Sequence, residues 1–187
     1  MRSRIRSTLA LALALAAAPL AAATVAGVAI ADSAKAGDET LALNGAALRT
    51  KFLFKVYVGA LYLARPAHDA AAILAADAPR RMEMHFVRSV SAARICGGWK
   101  DGLAANVAQP SPDVRAGFDR LCALTKDVSD GSVLAFTYVP GSGTTIEVDG
   151  KSQGSIAGKD FADALLACWI GPKPDPGEDF KRAVLGG

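Results

Sequence analysis

The stretch LRTKFLFKVYVGALYL, residues 48–63, carries side chains suited to hold an anion. Alternation along a strand separates a polar side from an apolar side: Arg49, Lys51, Lys55 and Tyr57 against Phe52, Phe54, Val56 and Val58. The planar guanidinium of Arg49 matches the two oxygens of a carboxylate, and the Tyr57 phenol offers a further donor. A buried charge without a partner is costly. The partner of Arg49 is therefore either a bound anion or a carboxylate of the chain itself, such as Asp38 or Glu39.

Other motifs that resemble reactive or ligand-binding sites lack the surroundings such sites need. GKS at residues 150–152 ends like a phosphate loop, but Thr145 stands where that loop requires Gly. GSG at residues 141–143 leads into a strand rather than a helix. His68 and His85 have no carboxylate or cysteine at metal-ligand spacing, and no GxSxG motif is present. We predict no bound metal, no cofactor and no catalytic residue.

The N-terminus has the three parts of a secretory signal peptide. Arg2, Arg4 and Arg6 precede an uncharged stretch rich in Ala, Leu and Val, and small-residue cleavage patterns occur at residues 21–23 and 29–31. The alternative is a retained membrane anchor, since a run of this length can span a bilayer. Residues 1–31 are predicted to be a signal peptide, which places the protein in the periplasm or outside the cell with no span after cleavage.

Removal of the signal changes the charge balance. Without the three early arginines, 18 of the 21 basic residues remain against 18 acidic residues, so the mature chain is formally neutral. This excludes the basic footprint on which nucleic-acid binding rests. Without residues 1–31, 156 of the 187 residues remain, enough for one domain with a sizeable core.

The three cysteines are an odd number for an exported chain. Cys96, Cys122 and Cys168 lie in helical patterns among Ala and Leu, and no CxxC or zinc spacing relates them. We predict three small buried hydrophobes, with a Cys96–Cys122 disulfide as the main alternative.

The remaining pattern predicts an α+β fold. Residues 32–38 are interpreted as a polar tether, followed by a short strand that turns at Asn44-Gly45. Residues 80–87 alternate as a half-buried strand, residues 132–139 give a further strand, and residues 144–156 give a hairpin turning at Asp149-Gly150. Helices are predicted for residues 68–76, from Ser91, from Ser111-Pro112, over residues 159–170 and over residues 178–185.

Three segments together resemble the bacterial, exported branch of the chalcone isomerase-like proteins. They are LNGAALRTKFLFKVYVGALYL, GSGTTIEVDGK and IAGKDFADALLACWIGPKP. The resemblance implies a large antiparallel sheet covered on one face by a layer of helices, with a ligand cleft between them. Residues 39–187 are assigned to this domain.

The superfamily includes plant enzymes that close a chalcone into a flavanone, and non-catalytic fatty-acid-binding relatives. The resemblance carries their central arginine onto Arg49, and it carries the tyrosine of the fatty-acid binders onto Tyr57. Trp99 and Asn106 have the seven-residue separation of the enzymes' Tyr and Asn, and Cys168 falls where the enzymes have a hydroxyl residue. Because Trp99 and Cys168 lack those hydroxyl groups, flavonoid chemistry is disfavoured.

The resulting hypothesis is a domain that binds a small amphipathic carboxylate, a fatty acid, through Arg49 and Tyr57. Asn106 and Cys168 are further candidate ligand-binding residues, and the cleft wall includes Trp99, Phe161 and Trp169. The alternatives are an intramolecular lyase of the chalcone isomerase type and an envelope interaction protein without a ligand.

Geometry sets one condition on this site. In an unbroken strand Arg49 and Tyr57 would lie ~26 Å apart, at about 3.3 Å per residue. The residues between them include no Gly, Pro or Asn that would predict a turn. The family resemblance implies a hairpin here, and one carboxylate can reach both side chains only if the chain folds back.

Overall fold

A computed structural model describes residues 21–187, which form a small hairpin, a curled seven-stranded sheet and five helices. The hairpin strands are β1 (Ala21–Val25) and β2 (Val28–Ala31). The sheet is antiparallel throughout, and its strands are ordered as in the chain: β3 (Ser33–Ala36), β4 (Glu39–Lys51), β5 (Phe54–Leu63), β6 (Arg80–Phe86), β7 (Val133–Val139), β8 (Gly143–Val148) and β9 (Lys151–Ile156). The predicted α+β class is confirmed.

Two of the helices begin directly after the capping residues that the sequence predicted, Ser91 and Ser111. The helices are α1 (Ala70–Ala75), α2 (Ala92–Asn106), α3 (Pro112–Leu124), α4 (Lys159–Ile170) and α5 (Glu178–Val184). The Asp69 carboxylate accepts from two amides at the start of α1, and the Ser111 hydroxyl accepts from the Val114 amide with Pro112 in the first turn. No helix within residues 21–187 is long and apolar enough to cross a membrane.

The main core fills the layer between the sheet and the helices. Met82, Met84 and Phe86 alternate along β6 and point into this layer, as their spacing predicted. Aromatic rings form its centre: the Phe136 ring lies 5.6 Å from Trp99 and 5.7 Å from Trp169, centroid to centroid. The helices therefore cover one face of the sheet, as the family resemblance implied.

The other face of the sheet is partly covered by the β1–β2 hairpin. Ile30 is fully buried there in a second apolar cluster with Leu41, Val58 and Tyr62. Because both faces of the sheet are covered here, the end of β5 is apolar on both sides. Leu61 belongs to the helix-facing core, and Tyr62 belongs to the second cluster.

This arrangement corrects the interpretation of residues 32–38 as a polar tether. Residues 33–36 form the edge strand β3, which pairs with residues 39–42 of β4. Ala36 is buried. The segment is polar as a whole, so its composition did not reveal that the side chains on one side of the strand face inward. Residues 1–20 of the predicted signal peptide lie outside the described residues. Cleavage after Ala31 would remove Ile30 from the second cluster.

The turn predicted at Asn44-Gly45 is also wrong. Strand β4 continues through it with an irregularity in register, and α5 packs directly on this point. The Asn44 side chain accepts from the Ala67 amide at 2.8 Å and donates to the Val184 carbonyl at 2.9 Å. A Cβ at Gly45 would lie 2.2 Å from the Ala183 carbonyl oxygen. Close helix packing, rather than chain reversal, explains these two residues.

The cysteines follow the alternative prediction. Cys96 on α2 and Cys122 on α3 form a disulfide with a Cα–Cα distance of 5.1 Å. Cys168 is free and buried on α4. The bridge joins the first two core helices across 26 residues of sequence.

Candidate functional site

The chain folds back between Arg49 and Tyr57. A two-residue turn at Phe52 and Leu53 joins β4 to β5, and it places Arg49 directly opposite Tyr57 in the antiparallel register. Both turn residues have positive φ, +48° and +68°, the pattern of a tight type I′ hairpin. The hairpin implied by the family resemblance is thus confirmed. Sequence reasoning missed it because Asn-Gly or Asp-Gly usually fills such a turn.

Arg49 is buried under the end of α4. Its side chain is 9% exposed, and its Nη2 donates to the carboxylate of Asp175. Asp175 lies in the segment 171–177 that joins α4 to α5, and its own amide donates to the Cys168 carbonyl at 2.9 Å. Within residues 21–187, no second hydrogen-bond acceptor contacts the Arg49 guanidinium. The partner is therefore a carboxylate of the chain, but neither Asp38 nor Glu39.

Tyr57 places a neutral phenol beside this guanidinium. The Arg49 Cζ lies 6.0 Å from the centre of the Tyr57 ring, and the Tyr57 hydroxyl accepts from the Trp169 Nε1 at 2.9 Å. Burial raises the pKa of Tyr57 well above its ordinary value of 10, although the positive charge of Arg49 opposes this. The phenol therefore keeps its proton. That proton has no acceptor among the described residues, so the hydroxyl retains one free donor.

The other three predicted site residues have separate surroundings. Trp99 belongs to the aromatic centre of the core and does not reach Arg49. The thiol of Cys168 contacts the Ala164 carbonyl at 3.6 Å, and burial raises its pKa to about 12. Asn106 holds the segment 171–177 in place, since its amide donates to the Lys173 carbonyl at 2.9 Å and accepts from the Lys173 amide at 2.8 Å.

These contacts give the five residues different roles. Arg49 and Tyr57 form one polar pair on the helix-facing side of the sheet. Asn106 and Cys168 contact the segment that carries Asp175, so they position the counter-ion of that pair. Trp99 is a core residue, and Phe161 likewise packs inside the core at 5.6 Å from Phe118. Asp175 could not be predicted from the sequence, because its pairing with Arg49 spans 126 residues.

The layer between sheet and helices is closely packed rather than open. A partly open cavity in this layer has a volume of about 20 Å³ and is lined in part by Leu61, Phe136, Leu165 and Trp169. That volume suits about one water molecule and no acyl chain. The open cleft implied by the family resemblance is therefore closed in this state of the protein, and a ligand would need the helices to move.

A wider groove of about 610 Å³ lies on the opposite face of the sheet. Three of its charged residues bind one another: the Arg81 guanidinium donates to Glu83 and Glu147, and also to the Thr137 hydroxyl. Burial would raise the pKa of Glu83, but hydrogen bonds from His85 and Arg81 outweigh it and hold that pKa below its ordinary value. This network satisfies its own charges, which makes it a weaker candidate than Arg49. No cluster of three metal-binding side chains occurs in residues 21–187.

Comparisons with known proteins agree with this architecture. A family model described as chalcone isomerase-like matches residues 22–186. The solved structure of a fatty-acid binding protein from Arabidopsis thaliana matches with a TM-score of 0.66 at 17% sequence identity, covering 86% of this chain and 92% of that chain. No curated protein matches the sequence. The chain therefore belongs to the chalcone isomerase-like family.

Proposed function

We propose that this chalcone isomerase-like chain is an exported binding domain for a small amphipathic carboxylate, a fatty acid. Arg49 is the anchor for the carboxylate, and Tyr57 is the second donor. The observation that supports this most is the pairing of a buried guanidinium with a phenol whose proton has no acceptor in the described part of the chain. The Arabidopsis neighbour, described as a fatty-acid binding protein, supports the choice of ligand.

Asp175 occupies the place of the ligand carboxylate when no ligand is bound. The Arg49 side chain is 9% exposed whereas that of Asp175 is 31% exposed, and Asp175 lies on a connecting segment rather than on a strand. The carboxylate of Asp175 can therefore move into water, but the guanidinium cannot. Exchange of one carboxylate for another keeps the buried charge paired throughout, which avoids the cost of an isolated ion.

In this proposal the acyl chain of the fatty acid lies beside Trp169 and extends into the core. Trp169 donates to Tyr57 on one side and lines the small cavity on the other, so it connects the polar pair to the apolar layer. Entry of an acyl chain requires the segment 171–177 and α5 to move away from the sheet. Phe180 on α5 packs on the Tyr57 ring, with centroids 6.0 Å apart, and is the side chain that must shift first.

Flavanone formation is not proposed. Trp99 is locked in the aromatic core, and the raised pKa of the Cys168 thiol keeps it neutral, so neither side chain supplies the hydroxyl or base chemistry of the enzymes. A ligand-free interaction protein remains as the outcome if no carboxylate binds.

The test is calorimetric titration of the protein with oleate and, as a matched control, with oleyl alcohol, which has the same chain without the charge. We expect saturable binding of oleate and much weaker binding of the alcohol, because a buried guanidinium left without an anion is costly. Equal binding of both compounds would show a purely apolar site. Absence of oleate binding would leave the interaction protein as the better account.

Export is the second part of the proposal, and the tripartite N-terminus supports it. Intact-mass measurement of protein recovered from the periplasm should give a chain that begins near residues 21–24, which keeps Ile30 on the sheet. A full-length chain in the inner membrane would contradict cleavage.

A further inference from the structure

The β4–β5 hairpin ends in an apolar tip formed by Phe52, Leu53 and Phe54. Their exposed fractions are 85%, 97% and 61%, and they are the large hydrophobic side chains exposed within residues 21–187. Apolar residues scattered over a surface are ordinary, but three consecutive ones at the most protruding point of a hairpin are not. Nothing else in the described chain packs on Leu53.

The backbone of this turn does not favour the residues that it carries. Three two-residue turns in the structure have positive φ at both positions: Ala26-Gly27, Phe52-Leu53 and Asp149-Gly150. Two of them have Gly at the second position, the residue that adopts this conformation without strain. Phe52-Leu53 has none. Folding alone would select Asn-Gly or Asp-Gly here, so the apolar side chains serve a purpose other than making the turn.

Cations surround the tip without acidic partners. Lys51 and Lys55 flank it in sequence, and the Arg88 Cζ lies 4.9 Å from the centre of the Phe54 ring. All three side chains are exposed, and none forms a salt bridge within the described residues. No acidic residue occurs between Glu39 and Asp69. This local positive charge stands out because residues 32–187 as a whole carry 18 basic and 18 acidic residues.

We propose that this tip inserts into a lipid surface that carries anionic headgroups. Apolar side chains at a lipid interface, combined with flanking Lys and Arg, give the two signals that together make membrane attachment stable. A protein partner fits less well, because a narrow convex tip of three residues buries far less than the roughly 800 Å² per partner of a specific interface. The shape and charge therefore point to a bilayer.

Attachment through the tip would also orient the candidate site. Arg49 precedes Phe52 by three residues of strand, about 10 Å. The Arg49–Tyr57 pair would then lie just above the headgroups, where an amphipathic carboxylate leaves or enters the bilayer. This orientation rests on the proposed function, whereas membrane attachment itself does not.

The test places an environment-sensitive fluorophore at the tip, through Leu53→Cys, and at the other end of the sheet, through Ser142→Cys. Ser142 is exposed in the turn that joins β7 to β8, and it serves as the matched control. With vesicles of phosphatidylglycerol and phosphatidylethanolamine, we expect a blue shift at position 53 and none at position 142. Phosphatidylcholine vesicles should give a much smaller shift at position 53. No shift at position 53, or equal shifts at both positions, would overturn the proposal. A shift that depends on protein concentration without vesicles would show a second copy as the partner instead.

A second variant separates attachment from folding. Phe52→Asn with Leu53→Gly gives the turn its preferred residues, so thermal stability should be kept or raised. Vesicle association should fall by about tenfold or more, since both inserted side chains are lost. Oleate binding in solution should stay unchanged, so failure of membrane attachment and failure of carboxylate binding are distinguishable. Vesicle association equal to that of the unaltered protein would overturn the proposal.

Discussion

Two arginines are buried on the helix-facing side of the same sheet, and their surroundings differ. Arg80 on β6 donates to Asp163 on α4 and to the carbonyls of Ile73 and Ala76, both at 3.4 Å. Its Cζ also lies 4.8 Å from the centre of the Tyr138 ring. Among the described residues, Arg49 on β4 has one acceptor, the carboxylate of Asp175.

The two arginines differ in how firmly their acidic partners are held. Asp163 is held on a helix and also accepts from Lys159 at 2.5 Å, so the Arg80 cluster is closed and cross-linked. Asp175 lies on a connecting segment and has no second cationic partner within the described residues. A guanidinium surrounded by fixed partners stabilises a fold, whereas one with a single replaceable carboxylate can accept a ligand.

The largest expected contrast is in the free energy of unfolding. Arg80→Ala should lower it by about 3–5 kcal/mol, the usual loss when one member of a buried ion pair is removed. Arg49→Ala should lower it much less, because Asp175 can turn to water. Urea unfolding of both variants under the same conditions gives the comparison. An equal loss for the two variants would mean that Arg49 is as structural as Arg80.

A second contrast concerns the two carboxylates. Asp175→Asn should strengthen oleate binding by about 1.5–3 kcal/mol, the range for a hydrogen bond to a charged group, since the ligand no longer competes with a charged side chain. The same free energy should be lost from the stability of the ligand-free protein, because both changes have one cause. Asp163→Asn should reduce stability without strengthening binding. Unchanged affinity in Asp175→Asn would show that the ligand does not replace Asp175.

The smallest expected effect belongs to the Tyr57 hydroxyl. Tyr57→Phe should weaken oleate binding by about 0.5–1.5 kcal/mol, as for one lost hydrogen bond. Because burial raises the Tyr57 pKa, the phenol remains a donor at pH 10, where an ordinary tyrosine would be half ionised. Affinity should therefore stay nearly constant between pH 8 and pH 10. A loss of affinity centred near pH 10 in the unaltered protein, and absent in Tyr57→Phe, would contradict this assignment.

The elements of this fold with regular hydrophobic spacing are predictable from the sequence. The stripe of Ile95, Trp99 and Leu103 predicts α2, and the alternation of Met82 with Met84 predicts β6. Both signals depend on periodicity within one element, which the sequence contains in full.

Features that depend on contacts between distant residues are not predictable in this way. The dipeptide Asn44-Gly45 has the residue types of a turn and so predicts one. In the structure the absence of a side chain at Gly45 is required instead by the close packing of α5. The turn at Phe52-Leu53 is not predictable from the sequence, because Phe and Leu rarely adopt the positive φ angles that both residues have here. At the candidate site, the family resemblance supplies Arg49 and Tyr57, but Asp175 and the indole of Trp169 are brought to them by the fold alone.

Arg49 is the residue proposed to hold the carboxylate of a bound fatty acid. The most direct test of this role is calorimetry with oleate on the unaltered protein, Arg49→Ala and Arg49→Lys, with Arg182→Ala as a control at an exposed arginine. Arg49→Ala should weaken binding by about 2–4 kcal/mol without unfolding the chain, and Arg49→Lys should recover part of the loss, because an ammonium lacks the planar fork. Arg182→Ala should bind normally. If Arg49→Ala binds oleate as tightly as the unaltered protein, the carboxylate lies elsewhere and the account is wrong.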